Sequence, residues 1–512
     1  MSFTVRKLTD PKRKKIQWVK IGATALTFAR PVFGLYSDWK KRHDAEKKSK
    51  ERISILQKVL LVLIALFCAA LLFAGMAKAV MAVRNLSLRS VIGMTASDLL
   101  ADENGYTNFL LLGQGDEGHD GVDLTDTIII ASVDSKKTKS VSLLSLPRDL
   151  YFLKTEKMGT ARINSLYRDY KNYLIYEQGI EPEEASKQAV KELSNEISKI
   201  IDLPLHYIVK VDFIAFVRAV DAVGGVDIEV PYDINDQEYP NEKFGYEPFI
   251  IKAGLRHLDG ETALKYARSR HTTSDFARSE RQQQLIQALA DKARTQGLLT
   301  DPGAITEILK IMQENVETTM TVREMIGAAK LGEELDKSRL VTMQINDQNG
   351  LYGSGINPGG FLYTPPREEF GGAAVLLPVS VPPFPISWKM LHTFSELYFK
   401  QRSLYLAKPQ ITILNAGARS GAARLLGGEL IRYGFDVVEI ENATIDDIPT
   451  SIISADDATR TSIAEAIGTL FGIKADVLPL ELPTEERGQI TILLGEDYQY
   501  TSLQDLLSDP GT

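Results

Sequence analysis

The stretch Val59–Ala77, VLLVLIALFCAALLFAGMA, runs for nineteen residues without a charge. At about 1.5 Å rise per residue, a helix of that length crosses the hydrocarbon core of a bilayer. Lys58 and Lys78 bracket it. A cleaved signal peptide has a shorter apolar core nearer the N-terminus. A buried core helix is the competing reading. Charge decides the direction of crossing. Residues 1–58 carry 16 Lys and Arg against 5 Asp and Glu, a net of +11 in a chain whose total is −8, so the remainder carries −19. Positive charge stays on the cytoplasmic side. The expectation is therefore a single-pass protein of the cell membrane with residues 1–58 in the cytoplasm and the bulk of the chain outside. Trp18–Tyr36 is apolar but broken by Lys20, Arg30 and Pro31, which suits the membrane surface better than a second span.

A chain of 512 residues has room for two to four domains. Its single cysteine, Cys68, excludes an internal disulfide and a multi-cysteine zinc site. The basic residues flank the membrane and no helix-turn-helix pattern follows them, so nucleic acid is set aside as a partner.

Residues 78–104 are expected to connect the span to a folded domain. Strands are then expected at Thr107–Gly113 (TNFLLLG), Asp126–Asp134 (DTIIIASVD) and Lys139–Leu146 (KSVSLLSL), with a turn at Ser135–Thr138. The loop between the first two holds three glycines and four acidic residues, Asp116, Glu117, Asp120 and Asp123. Such oxygens at a strand end suit a hard cation such as Mg²⁺, or a plain solvated turn. Asp126 opens an apolar strand, where a carboxylate needs a partner or a function. Pro147-Arg148-Asp149 ends the third strand, a frequent site position in α/β sheets. Helices are expected at Glu181–Ile201 and Asp212–Val223, and strands at His206–Val211 and Val226–Val230.

Tyr266–Gln284 concentrates Arg268, Arg270, Arg278 and Arg281 beside Asp275 and a run of glutamines. The pattern predicts a loop, then a helix over Phe276–Ala293 capped by Ser274 or Asp275. Arg278 and Gln282 would share one face of that helix. Arg268 and Arg270, in an extended segment, would point the same way. Guanidinium forks beside a helix N-terminus suit phosphate. A solvated basic helix start fits the same residues. His271 reads as a loop histidine, and the apolar faces of these helices read as core.

Downstream, Pro302–Val316 and Thr321–Ala329 read as helices, Arg339–Ile345 as a strand and Asn349–Phe370 as a loop. Residues 379–408 read as a stiff connector and a helix over Ser387–Lys400. A second domain is expected over 409–497: strand Gln410–Asn415, a glycine loop, a helix to Tyr433, strand Phe435–Ile440, helix Asp457–Phe471 and strand Gln489–Gly495. The glycine spacing is too loose for a phosphate loop and no lysine follows it. Residues 498–512 read as a tail.

The segments TNFLLLG, LTDTIII, SLPRD, RINSLY, VDFIAFVRAVDAVGGVDIEV, AGLRHLDGETALKYARSRH and DFARSERQQQ stand in this order behind the basic tail and the span. Together they resemble the LytR-CpsA-Psr family of cell-wall enzymes, chiefly over Thr107–Ala293 and more loosely to Pro378. The resemblance implies an α/β/α layered catalytic domain with a central mixed sheet over 105–378, after one N-terminal transmembrane helix, and a small C-terminal α/β domain that binds the wall or a partner. It implies transfer of a glycopolymer, as glycosyl-phosphate, from a polyprenyl-pyrophosphate-linked glycan to a peptidoglycan acceptor, with Mg²⁺ (Mn²⁺ as the alternative) as cofactor. By the same resemblance Asp126 matches the metal-binding aspartate, Arg148 a pyrophosphate arginine, Arg268 and Arg270 the arginine pair, and Asp275, Arg278 and Gln282 the D-x-x-R-x-x-x-Q. The family's second metal aspartate directly follows a Leu-Gly-x. Here Gly113 is followed by Gln114 and Gly115 before Asp116, so Asp116 is the nearest candidate and Asp120 or Asp123 an alternative. A non-catalytic protein that binds lipid-linked glycan or wall, and a pyrophosphatase that uses water as acceptor, are the other functions this pattern allows.

Overall fold

The computed structural model describes residues 98–115, 121–240, 245–269, 275–297, 316–347, 359–379 and 387–507, of which 275, 276, 333 and 337 are described in backbone only. All of them belong to one compact unit, Ser87–Thr512. The expected span, the basic tail and most of the connector lie outside the described residues. Among the described residues no helix is long and apolar enough to cross a membrane.

The strands β1 (Thr107–Gln114), β2 (Thr125–Asp134) and β3 (Ser140–Ser145) form an antiparallel meander. Asp134 closes its second turn by accepting the N–H groups of Lys136, Lys137 and Thr138 at 3.0, 2.9 and 2.8 Å, the local bonding that makes aspartate a turn residue. Helices α1 (Ile163–Tyr176) and α2 (Pro182–Ile201) follow, then β4 (Tyr207–Val211), which returns parallel to β1. Helix α3 (Phe213–Ala222) is capped by Asp212, which accepts the Ala215 N–H at 2.6 Å.

Next come β5 (Val226–Val230), β6 (Ile234–Pro240), β7 (Tyr246–Ile251), β8 (Gly254–Leu258), α4 (Gly260–Arg268) and α5 (Asp275–Thr295). The strands β9 (Val316–Thr318) and β10 (Leu340–Gln344) flank α6 (Val322–Glu334), which opens on a Thr321/Glu324 capping box. The sheet order is β9-β4-β1-β2-β3-β10, with parallel and antiparallel pairs, as expected for a central mixed sheet.

Strand alternation fills both faces of this sheet. Leu110, Leu112, Ile128, Ile130 and Leu144 join the core with α1 and α2. Phe109, Leu111, Ile129, Ala131 and Leu143 meet Ile286 of α5 on the other face. The result is the α/β/α layering expected from the sequence.

Four expectations need correction. Arg268 is not in an extended segment: it is the last residue of α4, a helix nucleated by Asp259, whose carboxylate accepts the Thr262 N–H at 2.8 Å. Ala263, Tyr266 and Ala267 bury one face of that helix. Val316, placed at the end of a helix, is in strand β9, and the rest of that expected helix lies outside the described residues. The helix expected over Ser387–Lys400 is present, but the chain beyond it is not a connector and continues helical to Ala407. Helix α7 (Lys389–Ser395) runs through a π turn, Glu396–Lys400, into α8 (Arg402–Ala407). Phe394, Leu397, Tyr398 and Phe399 there are at most 1% exposed. The Tyr398 hydroxyl donates to the carbonyls of Leu143 and Val341, and Arg402 bonds Ser132. Finally, residues 498–507 do not trail: Leu503 is fully buried and its N–H donates to Glu429 at 2.8 Å.

The second domain holds β11 (Gln410–Asn415), α9 (Ala422–Arg432), β12 (Asp436–Asn442), β13 (Ile452–Ala455), α10 (Thr461–Phe471), β14 (Lys474–Ala475) and β15 (Ile490–Leu494). Its sheet order is β12-β11-β15-β13-β14. Its core is continuous with that of the first domain through Phe361, Tyr405, Tyr433 and Phe435.

Candidate functional site

At one end of the large sheet β1, β3, β4 and β10 finish and β2 begins. Gly113 and Gln114 form a bulge there, and a Cβ on Gly113 would stand 2.9 Å from the Thr127 Cβ, so only glycine fits.

Asp126 is the second residue of β2, with its side chain 43% exposed. Asn164, at the start of α1 and 2% exposed, donates its Nδ2 to Asp126 Oδ1 at 2.9 Å. Arg148 Nη1 lies 3.4 Å from Asp126 Oδ2. Arg278 Nη2 donates to the Asp126 main-chain oxygen, also at 3.4 Å. Arg148 thus meets the carboxylate and Arg278 the main chain of the same residue, both through long contacts. Behind them Asp149 lies 3.6 Å from Arg148 Nε and accepts from Arg162 Nη1 at 3.1 Å. A chain of alternating charge thus holds Arg148 in place. Arg278 stands in the first turn of α5, only 6% exposed. Gln283, one turn on, ties that helix to the strand ends by donating to Ser145 Oγ and the Met343 carbonyl at 2.8 and 3.0 Å.

Arg268 lies on the α4 side. Its guanidinium stacks over Phe213 at 4.3 Å and donates to the Tyr239 hydroxyl at 3.1 Å. Burial pushes the Tyr239 phenol up, and Arg268 opposes that rise. Gln282 reaches back to the Ala267 carbonyl at 3.5 Å. The structure therefore gathers Asp126, Arg148 and Arg278, and sets Arg268 and Gln282 at the end of α4. Arg270, His271 and Asp116 lie outside the described residues. Asp275 begins α5, and its side chain is not described. Arg281 has a structural role: 3% exposed, it donates to the carbonyls of Tyr266 (2.9 Å) and Ser269, at the C-terminal end of α4. Asp123 is committed to Lys171 Nζ at 2.7 Å, which makes it a poor substitute for Asp116.

Asn164, Gln344, Asp347 and Arg367 also belong to this end of the sheet, and no motif in the sequence marks them as site residues. Asn164 lies inside the RINSLY segment, and that membership is its one signal. The others come from segments without a motif. They belong to the wall of a cleft of ≈ 230 Å³ at the ends of β3 and β10, which Arg148, Asp149 and Arg278 also line. Crevices at the carboxyl ends of strands are where α/β sheets bind ligands.

Among the described residues no group of three His, Cys, Asp or Glu could hold a metal ion by itself. Mg²⁺ does not need one: it takes one or two carboxylates and completes its shell with water and substrate phosphate. Asp126 offers a partly exposed carboxylate, and the neighbouring Asn164 Oδ1 is buried without a hydrogen-bond partner. That hard-oxygen donor set fits the ion.

The fold is a layered α/β domain with arginines and one carboxylate gathered at the open end of its sheet, fused to a small α/β domain. The LytR_cpsA_psr family model matches residues 78–362, and a model described as LytR cell envelope-related transcriptional attenuator matches 408–498. The chain belongs to the LytR_cpsA_psr family. It is 28% identical over 225 residues to the polyisoprenyl-teichoic acid–peptidoglycan teichoic acid transferase TagV of Bacillus subtilis, covering 43% of this chain and 51% of that protein. It is 25% identical over 418 residues to the cell wall biosynthesis protein LcpA of Corynebacterium glutamicum, covering 74% and 72%. The first of these matches spans about half the relative's length. The crystal structure of B. subtilis TagV aligns with a TM-score of 0.40 at 23% identity, over 58% of this chain and 99% of that one.

Proposed function

We propose that the protein is a membrane-anchored, extracytoplasmic phosphotransferase that moves a glycopolymer, as glycosyl-phosphate, from a polyprenyl-pyrophosphate carrier to peptidoglycan. The observation that carries this is the convergence of Arg148 and Arg278 on Asp126 at the open end of the sheet. Relatives named for transferring teichoic acid from a polyisoprenyl carrier to peptidoglycan support the same substrate class. Anchoring rests on Val59–Ala77 and the charge asymmetry around it.

In this reading Arg148 and Arg278, with the pair Arg268 and Arg270, bind the pyrophosphate through charge-assisted hydrogen bonds. Asp126, with Asp116 as second carboxylate, would hold Mg²⁺ or Mn²⁺, which when bound neutralises phosphate charge. Asn164 fixes the Asp126 carboxylate, and Asp149 with Arg162 fixes Arg148. Asp275 and Gln282 belong to the same helix start and support the Arg278 side. Fixed cations aimed where charge develops lower the barrier most. The acceptor hydroxyl oxygen bonds to the phosphorus that carries the glycan. The bond from that phosphorus to the bridging oxygen breaks, and prenyl monophosphate leaves with the electron pair. The hydroxyl proton passes to a carboxylate of the site.

The test uses the purified full chain with Mg²⁺, a short-chain polyprenyl-pyrophosphoryl sugar and peptidoglycan oligomers, with products read by mass spectrometry. The expected result is a phosphodiester-linked product that disappears with EDTA and falls about a hundredfold or more in Asp126→Ala and Arg268→Ala. Sugar phosphate released without acceptor would make the protein a pyrophosphatase. Tight donor binding without turnover would make it a binding protein of the envelope.

A further inference from the structure

The sheet order places two unlike surfaces on either side of Asp126. β4 lies two strands away in one direction and β10 two strands away in the other, about 10 Å each at ~4.8 Å per strand. The β4 side leads into α3, where Phe213 carries Arg268 on its face and Ile214 is 50% exposed. The β10 side ends in Gln344 and Asp347, which share the cleft with Arg148 and Arg278.

Gln344 Oε1 and Asp347 Oδ1 are buried atoms with no hydrogen-bond partner. The other Asp347 oxygen receives only a long bond from Thr364 Oγ1, 3.3 Å. A buried acceptor left unmatched costs about 1–3 kcal/mol, so these atoms call for a donor. The disubstituted pyrophosphate of the glycan carrier is fully ionised at neutral pH, has no hydrogen to give and is repelled by a carboxylate. A sugar hydroxyl has one. The cleft thus offers unmatched oxygen acceptors, Gln344 and Asp347, alongside the arginines Arg148, Arg278 and Arg367 that also line it. Its ≈ 230 Å³ falls below the ~300–1,000 Å³ that encloses a drug-sized ligand, a size for one sugar ring. Its outer wall is fixed. The Gly360 N–H donates to the Asp347 carbonyl at 3.1 Å, and a Cβ on Gly360 would lie 2.7 Å from the Asp347 Cα. The Leu376 N–H donates to the Asp149 carbonyl at 2.8 Å.

We propose that this cleft is the acceptor subsite: Asp347 receives the hydrogen bond of the attacking sugar hydroxyl and takes its proton, and Gln344 accepts from a neighbouring hydroxyl. The inference rests on the transferase reading above. In-line phosphoryl transfer brings the entering and leaving oxygens from opposite sides of phosphorus. The aromatic β4 side suits the prenyl phosphate, and the acceptor-rich β10 side suits the hydroxyl. As the hydroxyl oxygen bonds to phosphorus, the bridging P–O bond breaks, prenyl monophosphate departs and the proton goes to the Asp347 carboxylate.

The test measures transfer by the full chain against acceptor concentration, and separately the affinity for the short-chain prenyl-pyrophosphoryl sugar. Asp347→Asn is expected to lower kcat a hundredfold or more, the range of general-base loss. Gln344→Ala is expected to raise the acceptor KM about tenfold. Donor affinity is expected to stay within twofold in both. Asp347→Asn retaining more than a third of wild-type kcat overturns the proposal. So does a loss of donor affinity as large as the loss of transfer, which would give the cleft to the donor's own sugar. Absence of acceptor-dependent product from the wild type sinks the transferase reading itself. The subsite is then decided by titrating peptidoglycan disaccharide into the wild type, Asp347→Ala and Gln344→Ala by saturation-transfer NMR. Binding lost in both variants supports it, and equal or absent binding overturns it.

Discussion

Asn164 shows how a buried neighbour of the key carboxylate sets its geometry. Its amide reaches Asp126 while its main-chain carbonyl accepts from the Thr125 hydroxyl at 3.3 Å. Both contacts hold the entry of β2 against α1. Asn164→Ala should cost about 1–3 kcal/mol of stability, because a buried partner is lost. It should also lower transfer tenfold or more by freeing the Asp126 rotamer. Equal kcat in wild type and variant would show that Asp126 needs no positioning. A second residue reports through pH. His206 Nδ1 accepts the Asn108 N–H at 2.9 Å, so that nitrogen carries no proton. Burial holds the His206 imidazole below its ordinary value, with Asp102 partly offsetting. The unfolded chain takes up the proton first, near pH ~6.5. The stability contributed by neutral His206 is therefore fully present above that pH and is lost as pH falls below it. Urea unfolding at pH 7.5 and 5.5 should show this loss, and His206→Gln should reduce it. An unchanged pH dependence in the variant would contradict the assignment.

At the scale of elements, the C-terminal end of α4 is tied to α5 by Arg281. It places a buried guanidinium on two carbonyls that a helix C-terminus leaves without partners. Burial lowers its proton affinity, yet a guanidinium stays charged. Arg281→Met should therefore destabilise by about 1–3 kcal/mol for each carbonyl stranded. Faster amide exchange at the C-terminal end of α4 and the N-terminal turns of α5 should accompany it. A melting temperature within a degree of wild type would show that solvent or another donor replaces it. The same brace separates two kinds of arginine that look alike in the sequence. Arg281 bonds the main chain at the end of its neighbouring helix, whereas Arg278, three residues earlier, bonds the main chain of Asp126 and lines the cleft.

For the whole molecule, the two domains share one core. Phe361 stands 5.4 Å from Tyr433, Tyr405 stands 5.4 Å from Phe435, and the Tyr405 hydroxyl donates to the Tyr433 carbonyl at 2.9 Å. A continuous buried cluster predicts coincident unfolding. Amide-exchange probes in β1 and in β15 should report the same denaturant midpoint, and Phe361→Ala, at about 3–5 kcal/mol for a large-to-small core change, should lower both together. Two separated midpoints would make the domains independent. Trp388, 6.0 Å from Phe152, supplies a fluorescence reporter between them.

Local physics was enough for most of the elements. The alternation in β1–β3, the Asp212 cap and the stripe of α2 are written in neighbouring residues, and so are Asp126 and Arg148 as candidates. The strands β6–β8, helix α4 and helix α8 went unread, because short elements of mixed polarity owe their conformation to what they pack on. The helix over Ser387–Lys400 was legible, but its continuation through Arg402 was not: Tyr398 and Arg402 bond to β2, β3 and β10, which lie more than 50 residues upstream. By itself the sequence determined the charged tail, the long apolar run and the set of arginines, since charge and period are local properties. Which arginine meets Asp126, which merely pins a helix end, and that Gln344 and Asp347 face the same cleft were decided by strand pairing and by the packing of α5 on the sheet. Residues hundreds of positions apart become neighbours only when strands pair.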